Sequence, residues 1–195
     1  LPIYDKPLIY YPLSVLMLAE IRDILIITTP QDKQGFQKLL GDGSDFGINL
    51  QYAEQARPNG LAEAFLIGEE FIGNGNVCLV LGDNIFYGDG LKLSFLKQFE
   101  GGANITCCKV NDPERYGVAR IKENKVLEII EKPTEYISDF AVTGIYIYDN
   151  SVIKKSKELS PSSRGELEIT DLNNLYIKDG ALKASFLDPE MVWLD

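Results

Sequence analysis

The sequence predicts an α/β protein built on a doubly wound, mostly parallel sheet, and three observations carry that expectation. Continuous β-branched or apolar runs at 23–29 and 77–81 are short, as strands buried on both faces are. Segments with helical spacing alternate with these runs through the first half of the chain, which is the mark of strand-helix-strand units. The run from Val77 to Leu81 then stops at Gly82-Asp83-Asn84, and in open α/β sheets ligands bind just beyond the carboxyl ends of strands.

In order, residues 1–11 are rich in Pro and Tyr and read as extended, and Pro12 suits the first turn of a helix. Leu13, Leu16, Met17 and Ile21 give that helix one apolar face. The strand at 23–29 is ended by Pro30; Phe36, Leu39 and Leu40 mark a short helix stopped by Gly41-Asp42-Gly43. A strand is expected from Ile48 to Tyr52, a loop from Gln55 to Gly60, and a helix from Leu61 to Phe71 with Ala62, Phe65 and Leu66 inward. Gly73 to Asn76 turns into the strand that ends at Asp83. Leu91 to Phe99 reads as a helix closed by Gly101-Gly102, and Ile105 to Val110 as a strand. Tyr116 to Ile121 and Val126 to Glu131 read as strands joined by a tight turn at Glu123-Asn124, followed by a strand at Phe140 to Tyr148. Ser151 to Leu159 is a helix capped by Ser151 or Asn150, and a second helix runs from Glu166 or Thr170 to Lys178. Ala181 to Leu187 and Met191 to Leu194 close the chain as strands; Tyr146 and Tyr148 belong to the core.

Composition narrows the function classes. With 195 residues, 45% hydrophobic and 25% charged, the chain suits one large globular domain. Its net charge of -10 makes no electrostatic footprint for nucleic acid or an anionic membrane. No apolar run approaches the roughly 20 residues of a membrane span, and no signal peptide is visible. Three cysteines without framework or metal spacing fit a reducing cytoplasm. The absence of histidine excludes Ser-His-Asp and Cys-His catalysis and His-ligated metals. At the end of the 77–81 run, Asp83 would point a carboxylate into the crevice, where it could hold a magnesium ion. An ordinary Asp-Asn turn explains the same residues.

Six stretches, in order, carry a resemblance. They are Leu1-Pro2-Ile3-Tyr4-Asp5-Lys6-Pro7-Leu8-Ile9-Tyr10-Tyr11-Pro12-Leu13-Ser14, Val80-Leu81-Gly82-Asp83-Asn84, Asp112-Pro113-Glu114-Arg115-Tyr116-Gly117-Val118, Glu131-Lys132-Pro133, Ala141-Val142-Thr143-Gly144, and Arg164-Gly165-Glu166-Leu167-Glu168-Ile169-Thr170-Asp171. End to end, the chain resembles the sugar-1-phosphate nucleotidyltransferases. The resemblance implies a Rossmann-like sheet with an inserted antiparallel sugar-binding portion in one domain. Roughly residues 1–100 would form the nucleotide half and 101–195 the sugar half. It implies transfer of a nucleotidyl group from dTTP to glucose 1-phosphate, giving dTDP-glucose and pyrophosphate for dTDP-rhamnose and other deoxysugars. Magnesium is the implied cofactor and a homo-oligomer, a tetramer, the implied assembly. Such chemistry needs positioning and electrostatics more than covalent catalysis, which suits a chain without histidine.

Carried over residue by residue, Asp83 and Asp195 match the family's metal carboxylates and catalytic pair. Gln55, Pro58, Gly60 and Leu61 match the base-binding loop, where a Gln amide complements a pyrimidine edge. Asn84, Tyr116, Gly117, Glu131 and Val142 match positions around the hexose. Lys132 and Arg164 match the sugar-phosphate clamp. Trp193 fits a wall near the sugar, and core packing explains it equally. The family's Gly-rich phosphate loop and following Lys would lie before Leu1, and its C-terminal helices after Asp195. The expectation is therefore a chain cut at both ends, without its central strand, that holds base and sugar but does not organise a triphosphate. Two other functions are open on the sequence: a non-catalytic sugar-nucleotide-binding domain, and a UTP-using uridylyltransferase. A glycosyltransferase on a related nucleotide fold is a further reading.

Overall fold

The computed structural model describes residues 2–88, 99–123 and 125–195. Apart from Phe99, the helix expected at Leu91 to Phe99 lies outside them, as does Asn124 of the expected turn.

The chain opens with a small antiparallel pair, β1 (Pro2–Ile3) and β2 (Lys6–Pro7), before α1 (Tyr10–Leu18). The extended reading of 1–11 therefore gives way to helix at Tyr10, two residues before Pro12. Next, β3 (Asp23–Thr28) runs into α2 (Pro30–Leu40). Pro30 both ends the strand and starts the helix, since Thr29 caps it by accepting the Asp32 N–H at 3.2 Å. β4 (Asn49–Glu54) returns parallel to β3, with Asp23 opposite Asn49 and Thr28 opposite Glu54. The single helix expected over 61–71 forms as two short pieces, α3 (Glu63–Ile67) and α4 (Glu69–Ile72), that meet at Gly68.

The larger sheet has the order β5–β10–β7–β11–β9–β8. Its strands are β5 (Val77–Val80), β7 (Ala103–Lys109), β8 (Gly117–Lys122), β9 (Lys125–Glu131), β10 (Phe140–Tyr148) and β11 (Leu182–Phe186). Two further strands, β6 (Ile85–Tyr87) and β12 (Val192–Leu194), form a separate antiparallel pair. Among the described residues the parallel pairings are β3 with β4 and β7 with β11; the remaining pairings are antiparallel.

The main core lies between this sheet and α3, α5 (Ser151–Glu158) and α6 (Ile169–Lys178). Phe65, Tyr148 and Tyr176 fill its centre, with Phe65 edge-on to Tyr148 at 5.1 Å. The Tyr148 hydroxyl donates to buried Asn173 at 2.7 Å, so neither polar group is left unpaired. The cap of α5 comes from a residue the sequence reading passed over. Asp149, not Asn150 or Ser151, accepts from the Ser151 N–H at 3.0 Å, and its other oxygen accepts from the Gly102 N–H at 2.7 Å. A second core packs α1 on β3 and β4 through Leu13, Leu16, Ile24, Ile26 and Leu50.

The strands at 23–28 and 77–80 are less buried than their composition suggests. On β3, Ile24 and Ile26 are buried, whereas Leu25 and Ile27 are half-buried, as is all of β5. The reason is the space between β3 and β5, where cavities of 110 and 220 Å³ are lined by Leu16, Leu25, Ile27, Leu79 and Val80.

Candidate active site

Two loops and four strand ends converge on a cavity of about 410 Å³. Thirteen of the fourteen residues singled out from the sequence line it; the other, Asp83, lines an adjoining cavity of about 920 Å³ with Gly82, Thr28 and Thr29. Leu61 and Leu81 border both cavities.

The carboxylate pair is built by strand register. β6 pairs antiparallel with β12, placing Ile85 opposite Leu194 and Phe86 opposite Trp193. One step further along that register, Asn84 faces Asp195. The Asn84 Nδ2 donates to Asp195 Oδ1 at 2.6 Å and to Asp83 Oδ1 at 3.0 Å. Residues 111 apart in sequence therefore share one amide. Asp83 itself sits in the turn after β5, where the Asn84 N–H reaches back to the Leu81 carbonyl at 3.3 Å. The turn and the ligand role are thus not alternatives, because the turn is what projects Asp83 outward, exposed. Each carboxylate keeps an oxygen that Asn84 does not use. Magnesium takes one or two protein carboxylates and completes its shell with phosphate oxygens and water, so this donor set fits it. Among the described residues no third His, Cys, Asp or Glu joins a metal-holding group.

Gln55, Pro58, Gly60 and Leu61 all line the cavity of about 410 Å³. Gln55 Nε2 donates to the Gly60 carbonyl at 3.1 Å and to Glu63 Oε2 at 2.6 Å, while Asn59 Nδ2 donates to Glu63 Oε1 at 2.8 Å. Both amide hydrogens of Gln55 are thereby engaged within the loop, and its carbonyl oxygen is the group left to face a ligand. Gly60 has φ +98°, and a Cβ there would lie 2.3 Å from the Leu167 carbonyl oxygen. This close approach docks the 55–61 loop on the segment that carries Arg164.

Elsewhere in the lining, Gly117 at the start of β8 pairs with Glu131 at the end of β9. A Cβ on Gly117 would meet Glu131 Oε2 at 3.1 Å, so glycine leaves room for that carboxylate. Lys132 follows with φ +43°, directly before Pro133. For a lysine ahead of a proline this is a strained backbone, held by its N–H donating to the Tyr116 carbonyl at 2.9 Å. Val142 precedes the register shift of β10 against β7, a type of irregularity that often sits beside sites. Tyr116 packs on Trp193 with ring centroids 4.9 Å apart, and the Trp193 indole N–H donates to Asn84 Oδ1 at 2.7 Å. Trp193 is therefore both cavity wall and hydrogen-bonded structure. Tyr148 is core as expected; Tyr146 is core but also touches the cavity.

Arg164 is held by neighbouring acids. Its Nη2 donates to Glu168 Oε2 at 2.8 Å and its Nε to Glu168 Oε1 at 3.1 Å, with Glu166 at 3.6 Å. Burial pushes the Glu168 carboxyl up, but hydrogen bonds from Arg164 and Ser162 outweigh it and hold the group below its ordinary range. Sequence reasoning missed Glu168, Gly144 and Arg115 as lining residues. Arg115 donates to Asp112 at 2.8 Å and lies over the Tyr116 ring at 5.5 Å. Its signal was present, since it stands inside the motif that supplied Tyr116 and Gly117.

The sequence profile of the nucleotidyl transferase family matches residues 1–195. A glucose-1-phosphate thymidylyltransferase of Neisseria gonorrhoeae is 60% identical over 199 residues, covering 100% of this chain and 69% of the relative. A solved Bacillus anthracis structure, described provisionally as a glucose-1-phosphate thymidylyltransferase in complex with a sucrose, superposes with a TM-score of 0.91 at 42% identity, covering 100% of this chain and 79% of that one. A UDP-glucose pyrophosphorylase complexed with UDP-glucose gives a TM-score of 0.83 at 25% identity, over 98% of this chain and 82% of that one. With the six motifs in order, the carboxylates brought together and the whole length matched, the chain belongs to the nucleotidyl transferase family.

Proposed function

We propose that the protein transfers a thymidylyl group from dTTP to glucose 1-phosphate, releasing pyrophosphate and forming dTDP-glucose. The observation that carries this reading is the 60% identity to a glucose-1-phosphate thymidylyltransferase across the entire chain. In this reading the Gln55 loop, with Pro58, Gly60 and Leu61, receives the pyrimidine. Tyr116, Gly117, Glu131, Val142 and Trp193 surround the hexose, whose hydroxyls a carboxylate such as Glu131 can accept. Lys132 and Arg164 hold the sugar phosphate, the lysine as a point charge and the arginine through the guanidinium hydrogens that Glu168 does not take. Their task is to align a phosphate oxygen with the α-phosphorus; that oxygen is already anionic, so no general base is required. Asp83 and Asp195 would hold magnesium, which when bound neutralises charge building on the phosphates.

The assay is pyrophosphate release from dTTP and glucose 1-phosphate with magnesium in the complete protein. Release is expected, and its absence with both dTTP and UTP refutes the transferase reading. Faster turnover with UTP would favour the uridylyltransferase reading, to which the likeness to UDP-glucose pyrophosphorylase lends support. We place the reaction in the cytoplasm, in keeping with three free thiols, and in a homo-oligomer of the tetrameric kind. Among the described residues no helix is long and apolar enough to cross a membrane. The product would feed dTDP-rhamnose and related deoxysugars.

A further inference from the structure

Asn84 is fully buried, and every hydrogen-bonding position of its side chain is taken. Nδ2 gives one hydrogen to Asp83 at 3.0 Å and one to Asp195 at 2.6 Å. Oδ1 accepts from the Gly144 N–H at 3.0 Å and from the Trp193 indole at 2.7 Å. A primary amide has two donors and two lone pairs, so nothing remains for a sugar hydroxyl. The orientation is fixed by chemistry. A flipped amide would set its oxygen against two carboxylates and its hydrogens against two N–H groups.

We infer that Asn84 is a positioning residue: it sets the separation and orientation of the Asp83 and Asp195 carboxylates for a divalent cation, and ties that pair to the aromatic wall. The inference rests on the proposed metal role of those two aspartates. Three features support it. Asp83 lies in an exposed turn, so its own segment does not hold it rigidly. The register shift in β10 frees the Gly144 N–H, and Asn84 takes it up, anchoring the amide to the main sheet. There is no slack at that anchor, since a Cβ on Gly144 would lie 2.5 Å from Asn84 Oδ1. The amide thus holds one oxygen of each carboxylate on a rigid mount and leaves the others to the cation. Groups that orient metal ligands in this way typically change affinity or activity by about 10–100-fold when removed.

The test uses two variants of the complete protein. Asn84→Leu removes both donors without adding charge. Asn84→Ser keeps a small uncharged polar group but cannot span from Gly144 and Trp193 to both carboxylates, so it is the gentler variant if the first does not accumulate. Mn²⁺ binding to substrate-free protein is measured by electron paramagnetic resonance, and steady-state kinetics gives kcat and KM. For Asn84→Leu the Mn²⁺ dissociation constant is expected to rise at least about tenfold. For Asn84→Ser, kcat is expected to fall by about tenfold or more while KM for glucose 1-phosphate stays within about threefold. A folded Asn84→Leu protein that binds Mn²⁺ like the parent overturns the inference. So does an Asn84→Ser protein whose KM for glucose 1-phosphate rises while kcat holds, since that marks a sugar ligand. If the parent itself neither binds Mn²⁺ nor releases pyrophosphate, the underlying functional reading has failed instead.

Discussion

Replacing Gly60 with alanine should damage the site from its hinge. At φ +98° an alanine pays about 1–2 kcal/mol in backbone strain. Its Cβ would also lie 2.3 Å from the Leu167 carbonyl oxygen and 2.6 Å from the Leu167 nitrogen. These are backbone atoms and cannot rotate away, so the two segments must separate. Separation threatens the bonds from Ala62 N–H to the Leu167 carbonyl at 3.1 Å and from Leu167 N–H to the Asn59 carbonyl at 2.6 Å. At about 0.5–1.5 kcal/mol for each bond, the total loss is about 2–5 kcal/mol. That is a large fraction of the roughly 5–15 kcal/mol that stabilises a typical protein. Urea unfolding reads the loss, and KM for dTTP should rise because Gln55 bonds the Gly60 carbonyl. Gly35→Ala is the control. Gly35 lies inside α2 with nothing within 4 Å of an added Cβ, so alanine there should stabilise by up to about 1 kcal/mol. A Gly60→Ala protein within about 0.5 kcal/mol of the parent, with unchanged KM, would refute the reasoning.

Three other outcomes are expected. Asp83→Asn should lower turnover by about a hundredfold or more at saturating magnesium while the urea midpoint stays nearly constant, because the side chain is exposed and serves charge, not packing; unchanged turnover defeats the metal role. Burial, with a smaller push from Cys108, raises the Cys107 thiol to about 12. Its stabilising share is therefore whole below the ordinary thiol value near 9 and drains away as pH climbs toward 12, so the parent should lose more stability than Cys107→Ala between pH 8 and 11, and Cys107 should resist Ellman's reagent at pH 8 until urea unfolds the chain. Glu168 is held below its ordinary range in the folded state, so its contribution is present above about pH 4.5 and is lost as pH falls through the lowered value. Glu168→Gln should flatten that acid limb, and an unchanged limb would show that the Arg164 contact contributes nothing to stability.

What the sequence revealed follows physical lines. Periodic segments were legible: Phe36, Leu39 and Leu40 mark a helix, Gly180 follows the end of another, and the β-branched run at 23–28 is a strand, whereas Pro30 marked only the end of that strand and not the start of the helix. The three-residue β6 was not legible, because Ile85-Phe86-Tyr87 has no periodicity long enough to read, and its pairing with β12 is a tertiary event. The break at Gly68 was not legible either: it divides α3 from α4 inside the helix expected over 61–71, placing its own position against Leu25 of β3. Cap assignment failed at Asp149 for a related reason. Three consecutive polar residues could each cap locally, and only the distant Gly102 N–H, 47 residues away, selects the first. Site residues were legible because they sit in motifs. Asn84 shows the limit: its motif marked it as part of the site, but its role depends on which groups β12 and β10 deliver to its amide, and no local pattern encodes that.

The cations of the cavity show how an acidic chain can receive phosphates at all. Arg164 carries two carboxylates, Glu166 and Glu168, and Arg115 carries Asp112. Among the described residues no ion pair engages Lys132, and its strained backbone fixes where its stem begins. An incoming phosphate therefore meets two kinds of positive charge. Lysine is uncommitted and flexible, suited to capture as a point charge. The two arginines are already oriented by acids, so their forks are preorganised and lose little freedom on binding, at the cost of partly neutralised charge. A net charge of -10 would otherwise repel such a ligand, yet repulsion between exposed charges fades beyond about 10 Å in ordinary salt. On the proposed reading, affinity is then decided by the local set of Lys132, Arg164 and Arg115, together with the cation proposed for Asp83 and Asp195.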